Sequence, residues 1–304
     1  MDRLENMRVF AVVAETRSFA RTAKRLALSA PAVTRAVHAL EQHVGTQLLH
    51  RTTRAVRLTD VGARFLADVR RILSELDEAE ATARGSSTAA VGELAVTAPL
   101  MFGRLHVAPV LLSFLRKEPQ LTSRTLFADQ LVDLFEERID VAVRIGSLED
   151  SSLKAVKLGS LRRVLCAAPS YLEQHGVPRS PDDLASHRLI AFVGVTSHRH
   201  WAFRQGERLK SVAPNPRMVV NAADMAIAAA CAGHGLTRVL SYQVEQEVRA
   251  GALRIVMPEF EPLPTPVHLV RAENPKPPAR VRLFMDFAVP RLRSALSGIQ
   301  AAFA

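Results

Sequence analysis

The spacing of apolar residues changes character near residue 90. Before that point, apolar positions recur every three to four residues, which is the period of amphipathic helices. After it, short runs rich in valine, isoleucine and leucine alternate with helical stretches, which is typical of an α/β domain. The polar stretch Gly85-Ser86-Ser87-Thr88 separates the two parts and predicts a flexible joint.

Beyond the joint, the pattern predicts particular elements. Strands are expected at 93–97, 121–127, 140–144, 163–167, 188–192, 218–220, 236–240, 253–256 and 267–271. Helices are expected at 100–117, 129–138, 222–232, 241–250 and 279–297. Because helices and strands alternate along the chain, the sheets are expected to be largely parallel.

Two capped helices around a tight connection are predicted within the first part. Ser18 and Ser29 are residues that favour the N-cap position, so helices are expected over 19–26 and 30–43. Pro31 is compatible with the second helix because the first helical turn needs no backbone donor there.

The second of these helices has two different faces. One face is apolar and can pack on the preceding helices, since it carries Val33, Val37, Leu40 and Val44. The opposite face carries Pro31, Thr34, Arg35 and His38. Arg35 is suited to a bidentate contact with guanine, His38 to a base edge or phosphate, and Thr34 to a phosphate. This face therefore fits the major groove of DNA.

A basic segment follows Gly45. Residues 48–59 predict a small β-hairpin rich in cations, which would lie along a phosphate backbone or in a minor groove. Within 17–57, eight lysine and arginine residues accompany the single acid Glu41, in a chain of net charge +10. Such a field attracts polyanions, although an ordinary solvated surface could have the same composition. The helix, hairpin and charge together favour nucleic acid.

A long helix is predicted over 60–84. No helix breaker follows Gly62, and the apolar residues recur at alternating intervals of three and four. The resulting seam consists of Leu66, Val69, Leu73 and Leu76, widened by Phe65, Ile72 and Ala79. Burial on its own domain is one interpretation, but pairing with a second copy is preferred because three helices are expected to close that core. A symmetric dimer implies an inverted-repeat DNA site.

Several motifs of the first ninety residues keep fixed spacings. They are Met7-Arg8-Val9-Phe10, Ser18-Phe19-Ala20-Arg21-Thr22-Ala23-Lys24-Arg25-Leu26, Ser29-Ala30-Pro31-Ala32-Val33-Thr34-Arg35, Leu40-Glu41 followed by Gly45, Leu48-Leu49-His50-Arg51-Thr52 and Leu58-Thr59-Asp60-Val61-Gly62. With these motifs the chain resembles LysR-type transcriptional regulators. It departs from the family's usual serine at Thr34, and from its usual longer cation or amide at His38. The resemblance implies that double-stranded DNA is contacted by Ser18, Arg21, Ala30, Pro31, Thr34, Arg35, His38, Arg51, Thr52, Thr53, Arg54 and Arg57.

The same resemblance implies an α/β architecture of three parts. A winged helix-turn-helix at 1–59 would be followed by a linker helix and hinge at 60–90. An effector domain at 91–304 would have two α/β lobes and would be similar to periplasmic solute-binding proteins. Its first lobe would comprise 91–162 and 267–304, and its second lobe 163–266. The family also pairs its linker helices, so a homodimer or homotetramer is expected, with RNA polymerase as a candidate partner.

In that fold a small-molecule effector lies between the lobes, at the strand ends. The positions that match the family's pocket are Thr97, Pro99, Leu100, Met101, Ala128, Asp129, Arg144, Gly146, Val193, Gly194, Thr196, Asn221 and Arg238. Arg144 is the candidate counter-charge for a carboxylate, with a structural salt bridge as the alternative. Arg238 stands where an apolar residue is expected and could add a second cation. An organic acid is therefore the preferred class of effector.

Other classes of function have less support. The chain lacks Gly-x-Ser-x-Gly, His-Glu-x-x-His, Cys-x-x-Cys, a phosphate loop and a dinucleotide fingerprint, so an enzyme is not expected. No cofactor and no metal ion are expected, since His198-Arg199-His200 is too short and isolated for a metal site. The apolar surroundings of Cys166 and Cys231 predict buried thiols, with a redox pair as the alternative.

The chain has neither an apolar run of about 20 residues nor the apolar core of a secretion signal. A cytoplasmic protein without membrane contact is therefore expected. An exported solute-binding protein is the less favoured alternative, because a basic helical N-terminal part does not suit it.

Overall fold

The structure, a computed structural model, describes residues 2–51, 56–83, 90–134, 136–148, 153–193, 200–273 and 277–303. The chain forms two compact units. The first consists of Met1–Glu93 with Pro278–Arg280, and the second of Leu94–Pro277 with Val281–Ala304. Within these described ranges, no helix combines the length and the apolar character needed to cross a membrane.

The first unit contains the predicted helix pair and hairpin. Its elements are α1 (Arg3–Thr16), α2 (Phe19–Arg25), α3 (Ala30–Val44), β1 (Leu49–Arg51), β2 (Val56–Leu58) and α4 (Asp60–Ala83). Strands β1 and β2 pair in antiparallel fashion. The first three helices begin at side chains that accept a hydrogen bond from the first turn, namely Asp2, Ser18 and Ser29.

The linker helix α4 contributes to the core of this unit. Leu66 and Val69 are buried among residues of α1, α3 and the hairpin, and Phe65 and Leu73 pack against the same cluster. The rings of Phe65 and Phe10 lie 6.0 Å apart between centroids. The expectation that three helices close the core was therefore wrong, because the first part of the α4 seam packs into the core of its own unit. Pairing of two copies through the rest of α4 stays a prediction.

The second unit has two five-stranded sheets. The first-lobe sheet has the order β4-β3-β5-β14-β6, with β3 (Gly92–Ala98), β4 (Leu121–Phe127), β5 (Val141–Ile145), β6 (Leu153–Leu161) and β14 (Thr265–Ala272). The second-lobe sheet has the order β11-β8-β12-β7-β13, with β7 (Arg163–Ala167), β8 (Leu189–Phe192), β11 (Met218–Val220), β12 (Leu236–Leu240) and β13 (Arg254–Val256). A separate hairpin consists of β9 (Trp201–Gln205) and β10 (Arg208–Val212).

Helices connect and cover these strands. The predicted helix over 100–117 is a continuous segment of α5 (Leu100–Phe102), a π-helical turn Gly103–Val107 and α6 (Ala108–Lys117). The other α-helices are α7 (Pro169–His175), α8 (Ala223–Cys231), α9 (Glu245–Arg249) and α10 (Ala279–Ala302). Short 3₁₀ turns lie at Pro181–Ser186, Ser241–Gln243 and Pro258–Phe260. The predicted fold class, a helix-turn-helix followed by a two-lobed α/β domain, is confirmed.

The sheets are mixed, so the expectation of largely parallel sheets was wrong. Strands β3 and β5 are parallel, as are β8 with β11 and β12. In contrast, β14 runs antiparallel to β5 and β6, and β7 runs antiparallel to β12 and β13. The antiparallel pairs arise where the chain passes from one lobe to the other and back. Strand β6 and the β9–β10 hairpin were not predicted.

The predicted helix over 129–138 is not observed among its described residues. Two of its carbonyl groups, those of Glu137 and Arg138, accept hydrogen bonds from the Arg124 side chain at 2.8 and 3.0 Å. Arg138 also has a left-handed backbone conformation, with φ of 50°. Leu134 is buried against the first-lobe sheet. The backbone of this segment forms isolated turns instead, in which the Glu137 amide donates to the Asp133 carbonyl at 3.1 Å and the Ile139 amide to the Leu134 carbonyl at 2.8 Å.

Candidate nucleic-acid interface and ligand pocket

Helix α3 presents a polar face on an apolar support. Val33 and Val37 are fully buried against α1 and α2, whereas Thr34, Arg35 and His38 are exposed. The Thr34 hydroxyl donates to the Ala30 carbonyl at 3.1 Å, which holds that side chain along the helix. The guanidinium of Arg35 projects from a rigid helix, which is the arrangement that reading of a base edge requires.

The segment before α3 is fixed by local hydrogen bonds. The Ser18 hydroxyl accepts from the Arg21 amide at 3.3 Å, and the Arg21 guanidinium donates to the Thr16 carbonyl. The hydroxyls of Thr16 and Thr22 are 2.7 Å apart. Ser18 and Arg21, which the resemblance assigned to DNA contact, therefore also determine how α2 begins. Ala30 and Pro31 are exposed at the start of α3.

Glu41 has a structural role that the sequence analysis missed. Its side chain is buried, with 8% of its surface exposed. One carboxylate oxygen accepts from the Leu48 amide at 3.0 Å and from the Leu49 amide at 3.2 Å. The only acid of the basic stretch 17–57 is thus turned inward, where it ties α3 to the base of the hairpin. The surface of that stretch keeps its cationic character as a result.

Replacing Glu41 by alanine is expected to destabilise the first unit by about 1 to 3 kcal/mol, because two buried amides lose their acceptor. Glu41→Gln keeps an acceptor oxygen and is the matched control, with a smaller loss. Hydrogen exchange of the β1–β2 amides, measured by mass spectrometry, distinguishes the two variants. Equal protection in Glu41→Ala and the wild type would show that these hydrogen bonds do not support the hairpin.

The hairpin β1–β2 forms the wing of this unit. Leu49 pairs with Leu58, and His50 pairs with Arg57. Both His50 and Arg57 are exposed, whereas Leu49 is buried. Thr52, Thr53, Arg54 and the side chain of Arg51 lie outside the described part of the chain, so their predicted DNA contacts stay predictions.

Arg57→Ala is expected to weaken binding to every DNA sequence by a similar factor, because a wing arginine contacts phosphates rather than bases. The slope of log affinity against log salt concentration should fall by about one unit. Arg254→Ala, an exposed arginine of the second unit, is the control and should leave the slope unchanged. If Arg57→Ala also keeps the wild-type slope, the wing does not lie on DNA.

The ends of β3 and β4 bring together four of the predicted pocket residues, Thr97, Leu100, Ala128 and Asp129. The Asp129 carboxylate accepts from the Leu100 amide at 3.0 Å, and the Ala128 amide donates to the Ala98 carbonyl at 3.0 Å. The buried Thr97 hydroxyl donates to the Leu126 carbonyl. The ends of β3 and β4 are thereby joined.

The second-lobe strands end in a similar way. The Val193 amide donates to the Val220 carbonyl at 2.7 Å, and the exposed Asn221 follows directly. On the first lobe, Gly146 donates to the Pro266 carbonyl at 2.9 Å. Gly194 and Thr196 lie outside the described residues.

The two lobes approach each other near Asp129. Burial raises the pKa of the Asp129 carboxyl, and Asp224 at the start of α8 acts in the same direction, against the hydrogen bond from the Leu100 amide. Burial likewise raises the pKa of Tyr242, and the negative charge of Asp129 adds to that effect. Groups from both lobes therefore share one electrostatic environment at the strand ends.

The two candidate cations are both engaged with backbone. Arg144 is half-buried and donates to the Val132 carbonyl; burial lowers its pKa, and Asp133 partly opposes that effect. Arg238 donates to the Ala202 carbonyl at 2.6 Å and lies over the Phe203 ring. Burial, reinforced by Arg163, lowers the pKa of Arg238 to about 9.

A cavity of about 370 Å³ lies beside the predicted pocket, between α5 with its π-helical turn and α8. Met101 lines it and is the single member of the predicted set among its described lining residues. The His106 imidazole also lines it, and its buried Nε2 atom has no hydrogen-bond partner among the residues that the structure describes. The cavity is of a size that small molecules occupy.

An exposed recognition helix, a basic wing and a two-lobed α/β domain define a ligand-responsive DNA-binding protein. Residues 4–63 match the family described as bacterial regulatory helix-turn-helix protein, lysR family, and residues 87–293 match the LysR substrate binding domain. The chain belongs to the LysR family of transcription regulators.

Relatives match along nearly the whole chain. An HTH-type transcriptional repressor from Pseudomonas aeruginosa is 33% identical over 291 residues, covering 95% of this chain and 92% of that protein. The HTH-type transcriptional activator AaeR from Escherichia coli is 30% identical over 287 residues, covering 94% and 93%. The solved structure of CrgA, a LysR-type transcriptional regulator from Neisseria meningitidis, gives a TM-score of 0.61 at 29% identity, over 95% of this chain and 98% of that one. These relatives include a repressor and an activator, so similarity does not fix the sign of regulation.

Proposed function

We propose that this regulator responds to an organic acid bound between the lobes of its second unit. The observation that carries the proposal is the chemistry of the predicted pocket set. Two of its described members, Arg144 and Arg238, carry half-buried guanidinium groups. A carboxylate is the natural partner of such groups, since charge-assisted hydrogen bonds to arginine are strong and directional. The residues proposed to line the pocket are those given by the resemblance.

The ligand would act on DNA binding through linkage. An acid that binds one arrangement of the two lobes more tightly shifts the protein toward that arrangement. The change in DNA affinity cannot exceed the ratio of the acid's affinities for the two arrangements. DNA must then change the affinity for the acid by the same factor. No chemical conversion of the acid is part of this proposal, in which the protein is not an enzyme.

The assembly proposed on DNA is a dimer or tetramer paired through α4. Two copies of α3 would then read an inverted repeat, with half-sites about one helical turn apart. RNA polymerase is a proposed partner where the protein activates. The proposed location is the bacterial cytoplasm, where the DNA is.

Mobility-shift titration of DNA from around the protein's own gene tests the proposal. Carboxylic acids handled by the neighbouring genes are added singly, each beside its uncharged amide. One acid is expected to change the apparent DNA affinity by about 5- to 150-fold. If the protein binds the DNA and none of the acids changes its affinity, the proposed effector class is contradicted.

A further inference from the structure

The second-lobe sheet contains an unusual group of arginines. Arg162 and Arg238 lie near one acid, Glu261, and Arg163 lies near Arg238 and Tyr242. The Arg162 guanidinium donates hydrogen bonds to both carboxylate oxygens of Glu261, at 2.7 and 2.8 Å. The other two guanidinium groups form no salt bridge within the part of the chain that the structure describes. Arg163 and Arg238 are therefore two cations without an ion-pair partner among the described residues.

The pairing of β7 and β12 places these two cations side by side. Arg238 lies opposite Leu165, and Leu240 lies opposite Arg163. Since alternate residues of a strand share one face, Arg163, Leu165 and Arg238 project from the same side of the sheet. Diagonal neighbours of this kind are within reach of long side chains. Burial lowers the pKa of Arg238, and the nearby positive charge of Arg163 adds to that effect.

The surroundings of Arg238 hold its side chain in place. Its guanidinium lies 5.1 Å from the centre of the Phe203 ring, and one of its nitrogens donates to the Ala202 carbonyl. Phe203 and the neighbouring Trp201 are buried in the cluster that covers this face. A ring face and one carbonyl leave most of the donors of an arginine fork free for another acceptor.

Two adjacent, half-buried cations are costly unless an anion compensates them. Buried charges in proteins are normally paired, and breaking such a pair is strongly destabilising. Two guanidinium groups that project as diagonal neighbours from one face of a sheet can together offer paired donors to a flat, bidentate acceptor, which is the geometry of a carboxylate.

We propose that Arg163 and Arg238 together bind the carboxylate of a small organic molecule. This site rests on the proposed function, because it assigns residues to recognition of the acid effector. It adds Arg163, which no motif indicated, and it places the carboxylate on the second-lobe sheet rather than at Arg144.

The test uses the full-length protein without DNA and benzoate as the probe. Trp201 is the single tryptophan of the chain, so intrinsic fluorescence follows the unfolding of this lobe. Benzoate is added at about ten times its Kd and at constant ionic strength. It should raise the melting midpoint of the protein by about 2 to 4 °C. Benzamide, the neutral analogue, should not. Succinate and inorganic phosphate are tested in the same way. If phosphate raises the melting midpoint and neither benzoate nor succinate does, the proposed ligand class is wrong.

Variants locate the site. Arg163→Gln and Arg238→Gln should each weaken benzoate binding at least tenfold, whereas Arg188→Gln, at an exposed position before β8, should bind benzoate like the wild type. Arg238→Met replaces the cation with an apolar chain of similar length, and should fold with an unchanged or higher midpoint while losing the benzoate shift. Benzoate binding retained in these variants, or equal effects of benzoate and benzamide on the wild type, would overturn the proposal.

The same measurements separate this site from the proposed function. Benzoate that binds through Arg163 and Arg238 without changing DNA affinity would leave the site intact and contradict the coupling for that ligand. An acid that changes DNA affinity equally in the wild type and in Arg163→Gln would support the regulator and overturn this site.

Discussion

Arg35→Ala is expected to remove most of the protein's preference for its own operator. A bidentate contact between arginine and guanine contributes about 1 to 3 kcal/mol of discrimination. In a dimer with two half-sites, the loss is about 2 to 6 kcal/mol, which is on the order of 30-fold to 10⁴-fold in affinity for the operator. Binding to unrelated DNA should fall far less, because phosphate contacts dominate it. Competition between operator and random DNA at fixed salt measures the ratio.

Arg35→Lys is the matched control for that experiment. It keeps the positive charge but not the planar fork, so nonspecific affinity should persist while discrimination falls. Because Arg35 is exposed, neither change should affect folding. Wild-type discrimination in Arg35→Ala would show that this side chain reads no base.

Gly62→Ala is expected to destabilise the first unit by about 3 kcal/mol, which is at the upper end for added volume in a packed core. A Cβ atom at Gly62 would lie 1.9 Å from the Leu48 carbonyl oxygen and 2.8 Å from its carbonyl carbon. Both are backbone atoms next to the Glu41 hydrogen bonds, so the contact cannot be relieved by a side-chain rotation. DNA binding should be lost at temperatures where the wild type still binds.

Gly298→Ala is the control for the effect of a methyl group at a helical glycine. Gly298 lies exposed in α10, and among the described residues no atom beyond the adjoining backbone of its own helix would approach its Cβ within 4 Å. Alanine is favoured over glycine within a helix by up to about 1 kcal/mol, so this variant should be neutral or slightly stabilised. Hydrogen exchange resolves the two units separately. Unchanged exchange in the first unit of Gly62→Ala would contradict the close packing of α4 on the hairpin.

Local signals predicted the first unit well. The serine caps and the apolar spacing of α3 act over a few residues, so they could be read along the chain. Glu41 was missed because a single acid on a helix resembles a solvated residue, and its partners, Leu48 and Leu49, come after a turn. The available signal was its spacing: Glu41 lies four residues after the buried Val37, and therefore on the buried face of α3.

Non-local pairing explains the other differences. The segment around Leu134 has helical spacing, but Leu134 packs against the first-lobe sheet, and the Arg124 side chain from β4 binds the carbonyl groups of Glu137 and Arg138 at its end. The β9–β10 hairpin could have been found from alternating apolar residues around Gly206, whose φ of 63° suits a tight turn. Arg238 was noticed because it interrupts an apolar strand. Arg163 could be recognised as a neighbour of Arg238 only from the register of β7 against β12.

Hydroxyl-radical footprinting on DNA that flanks the protein's own gene tests the central claim most directly. The claim is that paired copies of α3 and the wing read a symmetric DNA site. The predicted result, with excess competitor DNA at about 0.15 M salt, is protection of two half-sites related by two-fold symmetry and centred about one helical turn apart. Arg35→Ala should lose that pattern. Uniform protection of all sequences, or none, with folded wild-type protein would contradict the claim.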